Sequence, residues 1–181
     1  MAHKCCDLAG RVAVVIGGTS GLGRALAIGL AEAGADVVPT GRRSDRMDEV
    51  CAALESLGRR TLRQPADVSS RASIDALRDT VLEGLGRVDI LVNAAGRTFR
   101  KPTCEVSEPE WEDLMDTNVT GILRACQSFF EPLKASGCGR IINIASLTSF
   151  VAFHEVAAYS ATKAAVLSLT RSLGAEWAPH G

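Results

Sequence analysis

Short runs of apolar, mostly β-branched residues alternate along the chain with longer stretches whose apolar positions recur every three or four residues. The runs predict strands over 11–17, 36–40, 88–93 and 140–145, with a weaker one over 61–66. The longer stretches predict helices over 22–33, 44–57, 69–85, about 114–134 and 159–177, with Ser44 as a helix cap and a further helix start in a capping box at Ser107. Alternating strands and helices indicate βαβ units, so we predict an α/β fold with a doubly wound parallel sheet of about five strands.

Composition narrows the function classes. The 181 residues fit a single domain over 1–181, and 46% hydrophobic with 23% charged residues is typical of a globular protein. Twenty basic against 21 acidic side chains give a net charge of −1, without the basic surplus of a nucleic-acid binder. The apolar runs fall short of the roughly 20 residues of a membrane span. We expect neither nucleic acid nor membrane as a partner.

The six cysteines, at positions 5, 6, 51, 104, 126 and 138, include no Cys-x-x-Cys pair, and there are only three histidines. This spacing predicts no metal site. The first residues lack the apolar core of a signal peptide. We therefore predict free thiols in a reducing cytoplasm. The alternative, a secreted disulfide framework, fits the length and the helical pattern poorly.

A cluster of glycines, Gly17, Gly18, Gly21 and Gly23, lies at the turn from the first predicted strand into the first helix. Glycines placed there let backbone N–H groups approach a pyrophosphate, and the helix N-terminus adds partial positive charge. A merely flexible loop is the alternative. The position between strand and helix near the start of the chain favours dinucleotide binding.

The end of the second predicted strand indicates which dinucleotide is bound. An acidic residue there would bind the ribose 2′-hydroxyl of NAD, but this chain has Thr40-Gly41-Arg42-Arg43. Two guanidinium groups suit the 2′-phosphate of NADP. Asp45 could in principle supply the acid, but it lies in the predicted cap of the next helix. The alternative for the arginines is that they are solvated loop residues without a ligand. We predict NADP.

Tyr159, the only tyrosine, and Lys163 lie four residues apart on one predicted helix, so their side chains share a face. A nearby ammonium group favours the phenolate, and such a tyrosine could exchange a proton with an alcohol or carbonyl. Ser146 stands thirteen residues earlier at a strand end, where ligands of open α/β sheets bind. For the pair alone, the alternative is a partly buried tyrosine near a solvated lysine with only a structural role. The pair, the strand-end serine and the glycine turn together predict an oxidoreductase site.

These motifs together resemble the short-chain dehydrogenase/reductase family over essentially the whole chain. The family's glycine motif corresponds to Gly17-x-x-x-Gly21-x-Gly23, its Asn-Ala-Gly motif to Asn93-Ala94-Ala95-Gly96, and its active site to Asn118, Ser146, Tyr159 and Lys163. The resemblance implies a cofactor-binding set of Gly17, Thr19, Ser20, Gly21, Leu22, Gly23, Arg42, Arg43, Asp67, Val68, Asn93, Ala94, Ala95, Gly96, Tyr159 and Lys163. Ile16 departs from the threonine usual in the family, with a modest effect expected.

The resemblance also implies roles for these residues. Tyr159 would be the acid/base, Lys163 would bind the nicotinamide ribose and favour the phenolate, and Ser146 would orient the reacting oxygen. Asn118 would position a water molecule in a proton relay, and the Asp67-Val68 pair would contact the adenine. Asn93 is expected to tie strands together rather than to take part in the chemistry.

A narrower similarity concerns the substrate. The segment from Gly96 to Pro102 and the strand leading to Ser146 are similar to family members that act on sugar acids, gluconate 5-dehydrogenases among them. Arg100 matches an arginine near the active site there, and a guanidinium suits a carboxylate. The substrate-binding residues would be Arg100 and Ser146. An exposed basic loop is the alternative for Arg100, and 3-oxoacyl-carrier-protein reductases are similar enough to compete.

The resemblance raises two further expectations. Family members continue beyond a stretch like Trp177–Gly181 into a sixth strand and a substrate-covering segment, so we expect the domain to be incomplete at its C-terminus and the last strand to form an exposed edge. A non-catalytic NADP-binding protein or fragment is therefore the second hypothesis.

Family members also form dimers or tetramers through the two long helices; the residues expected at that face are Ala125, Cys126, Phe129, Phe130, Ala164, Ala165 and Leu169.

Overall fold

The computed structural model describes residues 7–180, so Cys5 and Cys6 lie outside the described residues. Within that range the strands are β1 (Val12–Ile16), β2 (Asp36–Thr40), β3 (Ile90–Asn93) and β4 (Arg140–Asn143). The α-helices are α1 (Gly21–Glu32), α2 (Ser44–Ser56), α3 (Arg71–Leu85), α4 (Glu108–Met115), α5 (Gly121–Ala135) and α6 (Ala157–Trp177). The predicted alternation of strands and helices is confirmed.

The sheet is parallel, in the order β2-β1-β3-β4. Ile16 pairs with Asn93, and Asn93 pairs with Asn143, so the carboxyl ends of β1, β3 and β4 are level. The strand β4 forms one edge, where Ile142 is 43% exposed. The chain segments that follow β1, β3 and β4 therefore begin side by side, which is where an open α/β sheet binds its ligand.

The prediction of a strand over 61–66 is wrong: residues 59–67 run beside β2 without joining its ladder. Isolated hydrogen bonds hold them, among them those from Val37 N to Arg60 O, from Arg60 N to Asp36 Oδ1, from Thr40 Oγ1 to Gln64 O and from Ala66 N to Gly41 O. Pro65 has no N–H to donate in this segment. The sheet of the described residues accordingly has four strands rather than five.

Both faces of the sheet are covered by helices, because alternate residues of each strand point to opposite faces. Val14 of β1 and Leu91 of β3 pack with α3 and α5 through residues such as Leu77 and Phe129. Their neighbours form a second core with α1 and α2; its members include Ala13, Val15, Val37, Val92, Ala27, Ala31, Val50 and Leu54. The fold is thus doubly wound, as predicted.

One long helix was predicted over about 114–134, and the structure divides it. Ser107 and Glu110 form the expected capping box at the start of α4. A π-helical turn, Asp116–Thr120, then joins α4 to α5. Apolar periodicity does not distinguish one wide turn from continuous α-helix, so the sequence pattern does not indicate this turn. The turn contains Asn118, whose side chain is fully buried.

Three smaller expectations need correction. Ser44 is the first residue of α2 rather than its cap, since Arg43 holds the cap position. The third helix begins at Arg71, with Ser70 as its cap. Ala125, Cys126 and Phe129, expected at an oligomer face, are fully buried in the chain's own core.

The described cysteines, Cys51, Cys104, Cys126 and Cys138, are free thiols. Across residues 7–180, no cluster of His, Cys, Asp and Glu side chains could hold a metal ion. In the same range, no helix has the length and apolar character to cross a membrane.

Candidate active site

The glycine turn after β1 is closely packed. Gly17 has φ +85°, and a Cβ there would lie 2.5 Å from the Ala95 nitrogen. A Cβ on Gly23 would lie 2.1 Å from the Gly17 oxygen. Only glycine fits at these two positions, because either methyl group would overlap backbone atoms. The turn therefore brings the start of α1 close to the segment that follows β3.

A cleft of about 380 Å³ opens at this turn. It is lined by most of the predicted cofactor residues, namely Gly17, Thr19, Ser20, Leu22, Gly23, Arg42, Arg43, Asp67, Val68, Ala94, Ala95 and Gly96. Its other lining residues are Ile16, Gly41, Ala66, Ser69, Arg97, Asp113 and Thr117. The predicted residues Gly21, Asn93, Tyr159 and Lys163 do not line it. Gly21 is exposed, with φ +53° and open space around it.

The two arginines after β2 lie at one side of the cleft. Arg42 and Arg43 are exposed, and Arg43 Nη2 lies 3.5 Å from Ser20 Oγ in the glycine turn. Asp67, across the cleft, accepts hydrogen bonds from Ser69 N at 3.0 Å and Ser69 Oγ at 2.7 Å. These bonds from Ser69 lower the pKa of Asp67, and the positive charge of Arg42 adds to the effect.

Two residues that the sequence motifs did not single out hold the Asp67-Val68 segment in place. A Cβ on Gly121 would lie 2.8 Å from Val68 Cβ, so the first turn of α5 packs directly against that side chain. Arg124 donates to Val68 O at 3.0 Å and pairs with Asp116 at 2.7 Å. The start of α5 thus fixes this wall of the cleft. Only the tertiary structure brings these segments together.

Ser146 follows β4 and begins a short 3₁₀ turn over 147–149. Its Oγ accepts a hydrogen bond from Thr148 N at 3.2 Å. Its own N–H donates to Ser149 Oγ at 3.3 Å, and Ser149 Oγ donates to Lys163 O at 2.8 Å. The turn therefore fixes the Ser146 backbone against α6, while the hydroxyl proton of Ser146 remains able to donate to a ligand oxygen.

Lys163 is only 5% exposed. Its Nζ donates to the main-chain oxygen of Ile144 at 2.6 Å. Burial lowers the pKa of this ammonium group, since a desolvated charge is disfavoured. With one proton committed to Ile144, the ammonium group has two more to offer to a ligand.

Tyr159 is half-buried, and Lys163 Nζ lies 5.7 Å from the centre of its ring. A Cβ on Gly96 would lie 3.8 Å from Lys163 Nζ and 3.4 Å from Asn118 Oδ1. Gly96 also lines the cleft. This glycine is therefore where the cleft reaches the candidate catalytic residues.

Asn118 has every polar side-chain atom engaged. Its Oδ1 accepts from Arg97 N at 2.8 Å, and its Nδ2 donates to Arg97 O at 2.9 Å and to Thr162 Oγ1 at 3.1 Å. The side chain thereby joins the segment after β3 to α6. The π-helical turn around it interrupts the regular backbone hydrogen bonding of the helix.

Asn93 is the last residue of β3, and its side chain bonds to the neighbouring strand. It is 3% exposed, and its Nδ2 donates to Asn143 Oδ1 at 2.8 Å and lies 3.5 Å from Cys126 Sγ. Asn143 in turn donates to Thr170 Oγ1 at 3.0 Å. These bonds link β3, β4 and α6 beneath the site.

Arg100 is exposed and lies outside the cleft, with its Nε 3.6 Å from Glu155 Oε2. Lys101 N donates to Glu155 O at 2.8 Å, and Glu155 itself has φ +63°. This contact joins the loop after β3 to the segment just before Tyr159. It places Arg100 close to the start of α6.

A doubly wound sheet with a glycine turn, and with serine, tyrosine and lysine at its carboxyl edge, defines a dinucleotide-dependent oxidoreductase. Residues 11–181 match the sequence family described as short chain dehydrogenase, and the chain belongs to that family.

Relatives with named activities cover nearly the whole chain. The chain is 40% identical to the 2-dehydro-3-deoxy-D-gluconate 5-dehydrogenase of Escherichia coli (strain K12), over 99% of this chain and 71% of that protein. It is 37% identical to the gluconate 5-dehydrogenase of Gluconobacter oxydans (strain 621H), over 97% of this chain and 68% of that protein.

Solved structures of short-chain dehydrogenases are similar to this chain. One is that of a putative NAD(P) dependent gluconate 5-dehydrogenase from Beutenbergia cavernae with bound NADP at low occupancy. It superposes with a TM-score of 0.90 and 40% identity, covering 97% of this chain and 70% of that one. A metagenomic short-chain oxidoreductase in complex with NADP gives a TM-score of 0.90 at 33% identity, over 96% and 79% of the two chains.

Proposed function

We propose that this chain is an NADP-dependent oxidoreductase that transfers hydride between the nicotinamide and a hydroxyl or keto group of a small polar substrate, with a sugar acid favoured. The observation that carries the proposal is the meeting of the cleft with Asn118 and Lys163 at Gly96. Family membership supports the reaction class.

The cleft suits a dinucleotide. Close-packed glycines leave its floor free of side chains, and the start of α1 supplies N–H groups for a pyrophosphate. Gly96 has no side chain where one would extend toward Lys163 Nζ. When bound there, the nicotinamide would accept or donate the hydride.

The chain's own residues then handle the substrate oxygen and its proton. Ser146 Oγ would donate a hydrogen bond to that oxygen, and Tyr159 would exchange a proton with it. Lys163, held by Ile144 O, would offer its remaining protons to the ribose hydroxyls and favour the phenolate. Because the Asn118 side chain is already engaged, Asn118 would position the water molecule of the proton relay through the main chain of the π-helical turn.

Arg42 and Arg43 support NADP over NAD, since both line the cleft beside Ser20 and Asp45 lies in the first turn of α2. Two of the similar structures also hold NADP. We expect the chain to bind NADPH more tightly than NADH. Equal affinities would contradict the role of the arginines and leave the reaction class intact.

A sugar-acid substrate is supported by the names of the relatives and by Arg100 at the entrance of α6. One observation favours a second candidate, a 3-oxoacyl-carrier-protein reductase-like enzyme. The segment between Ser146 and Tyr159 exposes large apolar side chains suited to an acyl chain; they are Leu147, Phe150, Val151 and Phe153.

A cofactor titration with two substrate assays tests the proposal. Cofactor fluorescence is followed as the chain is titrated with NADPH and with NADH, and absorbance changes then report turnover of D-gluconate with NADP⁺ and of a 3-oxoacyl thioester with NADPH. Turnover of D-gluconate alone supports the sugar-acid proposal, and turnover of the thioester alone supports the second candidate. Tight NADPH binding without turnover of either would favour a non-catalytic nucleotide-binding protein.

Tyr159→Phe separates chemistry from binding. We expect turnover to fall by about 100-fold or more, the size of effect typical of a lost acid/base, with NADPH affinity nearly unchanged. Arg24→Ala is the control, because this exposed side chain on α1 is absent from the cleft lining. An unchanged rate in Tyr159→Phe would contradict the mechanism.

We also infer a homo-oligomer, dimer or tetramer, acting in the cytoplasm. Of the residues expected at the helical face, Phe130, Ala164, Ala165 and Leu169 remain at least partly exposed. Sedimentation of the 181-residue chain tests the oligomer, and a monomer at micromolar concentration would contradict it.

A further inference from the structure

Thr162, the residue before Lys163, joins two of the candidate catalytic residues. Its side chain is fully buried. Its hydroxyl donates to Tyr159 O at 2.7 Å and accepts from Asn118 Nδ2 at 3.1 Å. The single hydroxyl proton is committed to the Tyr159 carbonyl, so the oxygen can only accept from Asn118.

This arrangement fixes both partners. An acceptor on the α6 side requires that Asn118 direct its amide nitrogen there, which leaves Oδ1 to accept from Arg97 N. The same hydroxyl anchors the main chain of Tyr159 to the π-helical turn. Lys163 Nζ lies 5.7 Å from the centre of the Tyr159 ring on the same helix.

A threonine in a helix commonly bonds a carbonyl one turn back, so the bond to Tyr159 could be purely structural. Thr170 shows what a structural version looks like on the same helix. It donates to Val166 O at 2.7 Å and accepts from Asn143 Nδ2 at 3.0 Å. The two threonines make the same kinds of bond, but only Thr162 contacts residues proposed to catalyse.

We infer that Thr162 is a positioning residue, whose hydroxyl holds Asn118 and Tyr159 in the arrangement that proton transfer requires. The inference rests on the proposed function for the roles of those two residues. It adds a residue that the four candidate catalytic positions do not include.

The single tyrosine makes a test possible without any substrate. Tyr159 is the only tyrosine of the chain, so in a sample labelled with ring-¹³C tyrosine the ring resonances report the surroundings of that side chain alone. NMR spectra of the 181-residue chain are compared at one pH for the wild type and for Thr162→Val, which keeps the shape and removes the hydroxyl. Thr162→Ser restores the hydroxyl, and Thr170→Val is the matched control. Circular dichroism confirms that each sample is folded.

We expect the Tyr159 ring resonances of Thr162→Val to shift, because the ring loses the anchor of its main chain to the π-helical turn. Thr162→Ser and Thr170→Val should keep the wild-type ring resonances. Ring resonances of Thr162→Val equal to those of the wild type, or an equal shift in Thr170→Val, would overturn the inference. If Thr162→Val fails to fold, Thr162→Ala compared with Thr162→Ser makes the same test.

Turnover gives the second measurement. With D-gluconate and NADP⁺, kcat should fall about tenfold in Thr162→Val, at the low end of what a lost acid/base costs, with KM little changed. Thr170→Val should keep the wild-type kcat. A wild type that does not turn over D-gluconate would count against the sugar-acid proposal, whereas the tyrosine NMR spectra would still decide the role of Thr162.

Discussion

The ammonium group of Lys163 donates a 2.6 Å hydrogen bond to the main-chain oxygen of Ile144, and this bond joins α6 to the end of β4. Ser146 follows Ile144 by two residues, and Tyr159 lies one helical turn before Lys163. This buried side chain thus ties the strand to the helix that carries the proposed chemistry, together with the bond from Asn143 to Thr170.

The charge of Lys163 should make stability depend on pH in the alkaline range. Burial lowers the pKa of this group below its ordinary value of 10.5, so the unfolded chain holds the proton more tightly than the fold does. The free energy of unfolding should therefore rise with pH between the folded pKa and 10.5. Lys163→Met, which cannot titrate, should lack that rise.

Urea unfolding of both proteins at a series of pH values measures this difference. Lys134→Met removes a more exposed lysine of α5 and should follow the wild type throughout. A wild type and a Lys163→Met variant with parallel pH dependence would show that the ammonium group is not desolvated. Turnover of Lys163→Met should be at least 100-fold lower, at the scale of lost acid/base catalysis.

Gly96→Ala should affect cofactor binding without affecting the fold. The added Cβ would meet Asn118 Oδ1 at 3.4 Å and Lys163 Nζ at 3.8 Å, which are ordinary contacts. Stability should change by less than about 0.5 kcal/mol. The methyl group enters the space where the cleft meets the site, so NADPH affinity should fall about tenfold, or about 1.4 kcal/mol.

Fluorescence titration with NADPH checks the Gly96→Ala prediction, with Gly29→Ala as the control. Gly29 lies on α1, and a Cβ there has no neighbour within 4 Å. That variant should bind NADPH as the wild type does. Wild-type affinity in Gly96→Ala would place the nicotinamide elsewhere.

The sequence alone predicted the helices, four strands and the residues around the cleft, because apolar periodicity and glycine spacing are local signals. It did not reveal Gly121, Arg124 or Thr162, whose importance depends on which segments meet in space. The prediction of a strand over 61–66 is wrong because a short apolar run resembles a strand even where the segment does not join a ladder. The π-helical turn around Asn118 shares its apolar pattern with an α-helix.

Gly121→Ala should loosen the Asp67-Val68 wall of the cleft. The new Cβ would lie 2.8 Å from Val68 Cβ and 3.3 Å from Val68 O, so Val68 must move. Overpacking of this kind costs about 1–3 kcal/mol of stability. NADPH affinity should fall as well, since Val68 lines the cleft. Thermal unfolding and NADPH titration measure the two effects.

A change at Val68, the residue that the new Cβ would contact, supplies the control. Val68→Gly removes the Cβ that Gly121→Ala would strike, so the double variant should be more stable than the sum of the two single changes predicts. Strict additivity of the two free-energy changes would mean that these residues do not press on each other.

Asp89 should contribute stability that disappears in acid. This side chain is 1% exposed and lies at the amino edge of the sheet, away from the cleft. Burial raises the pKa of its carboxyl group, but hydrogen bonds from Arg87, Val12 N and Arg11 outweigh burial and bring the pKa below the ordinary 3.8. Asp89→Asn should cost about 2 kcal/mol of stability at neutral pH, within the range for lost hydrogen bonds to a charged group.

The pH dependence of that cost follows from the lowered pKa. The stabilisation is complete above pH 3.8, where the carboxylate is ionised in both states, and is lost as pH falls through the folded pKa. Urea unfolding should therefore show wild type and Asp89→Asn converging in acid. Asp79→Asn, at an exposed ion pair with Arg78, should stay close to the wild type. NADPH affinity should be unaffected in either variant. A difference in the free energy of unfolding between wild type and Asp89→Asn that persists through the acid range would mean that the carboxylate is not held by its partners.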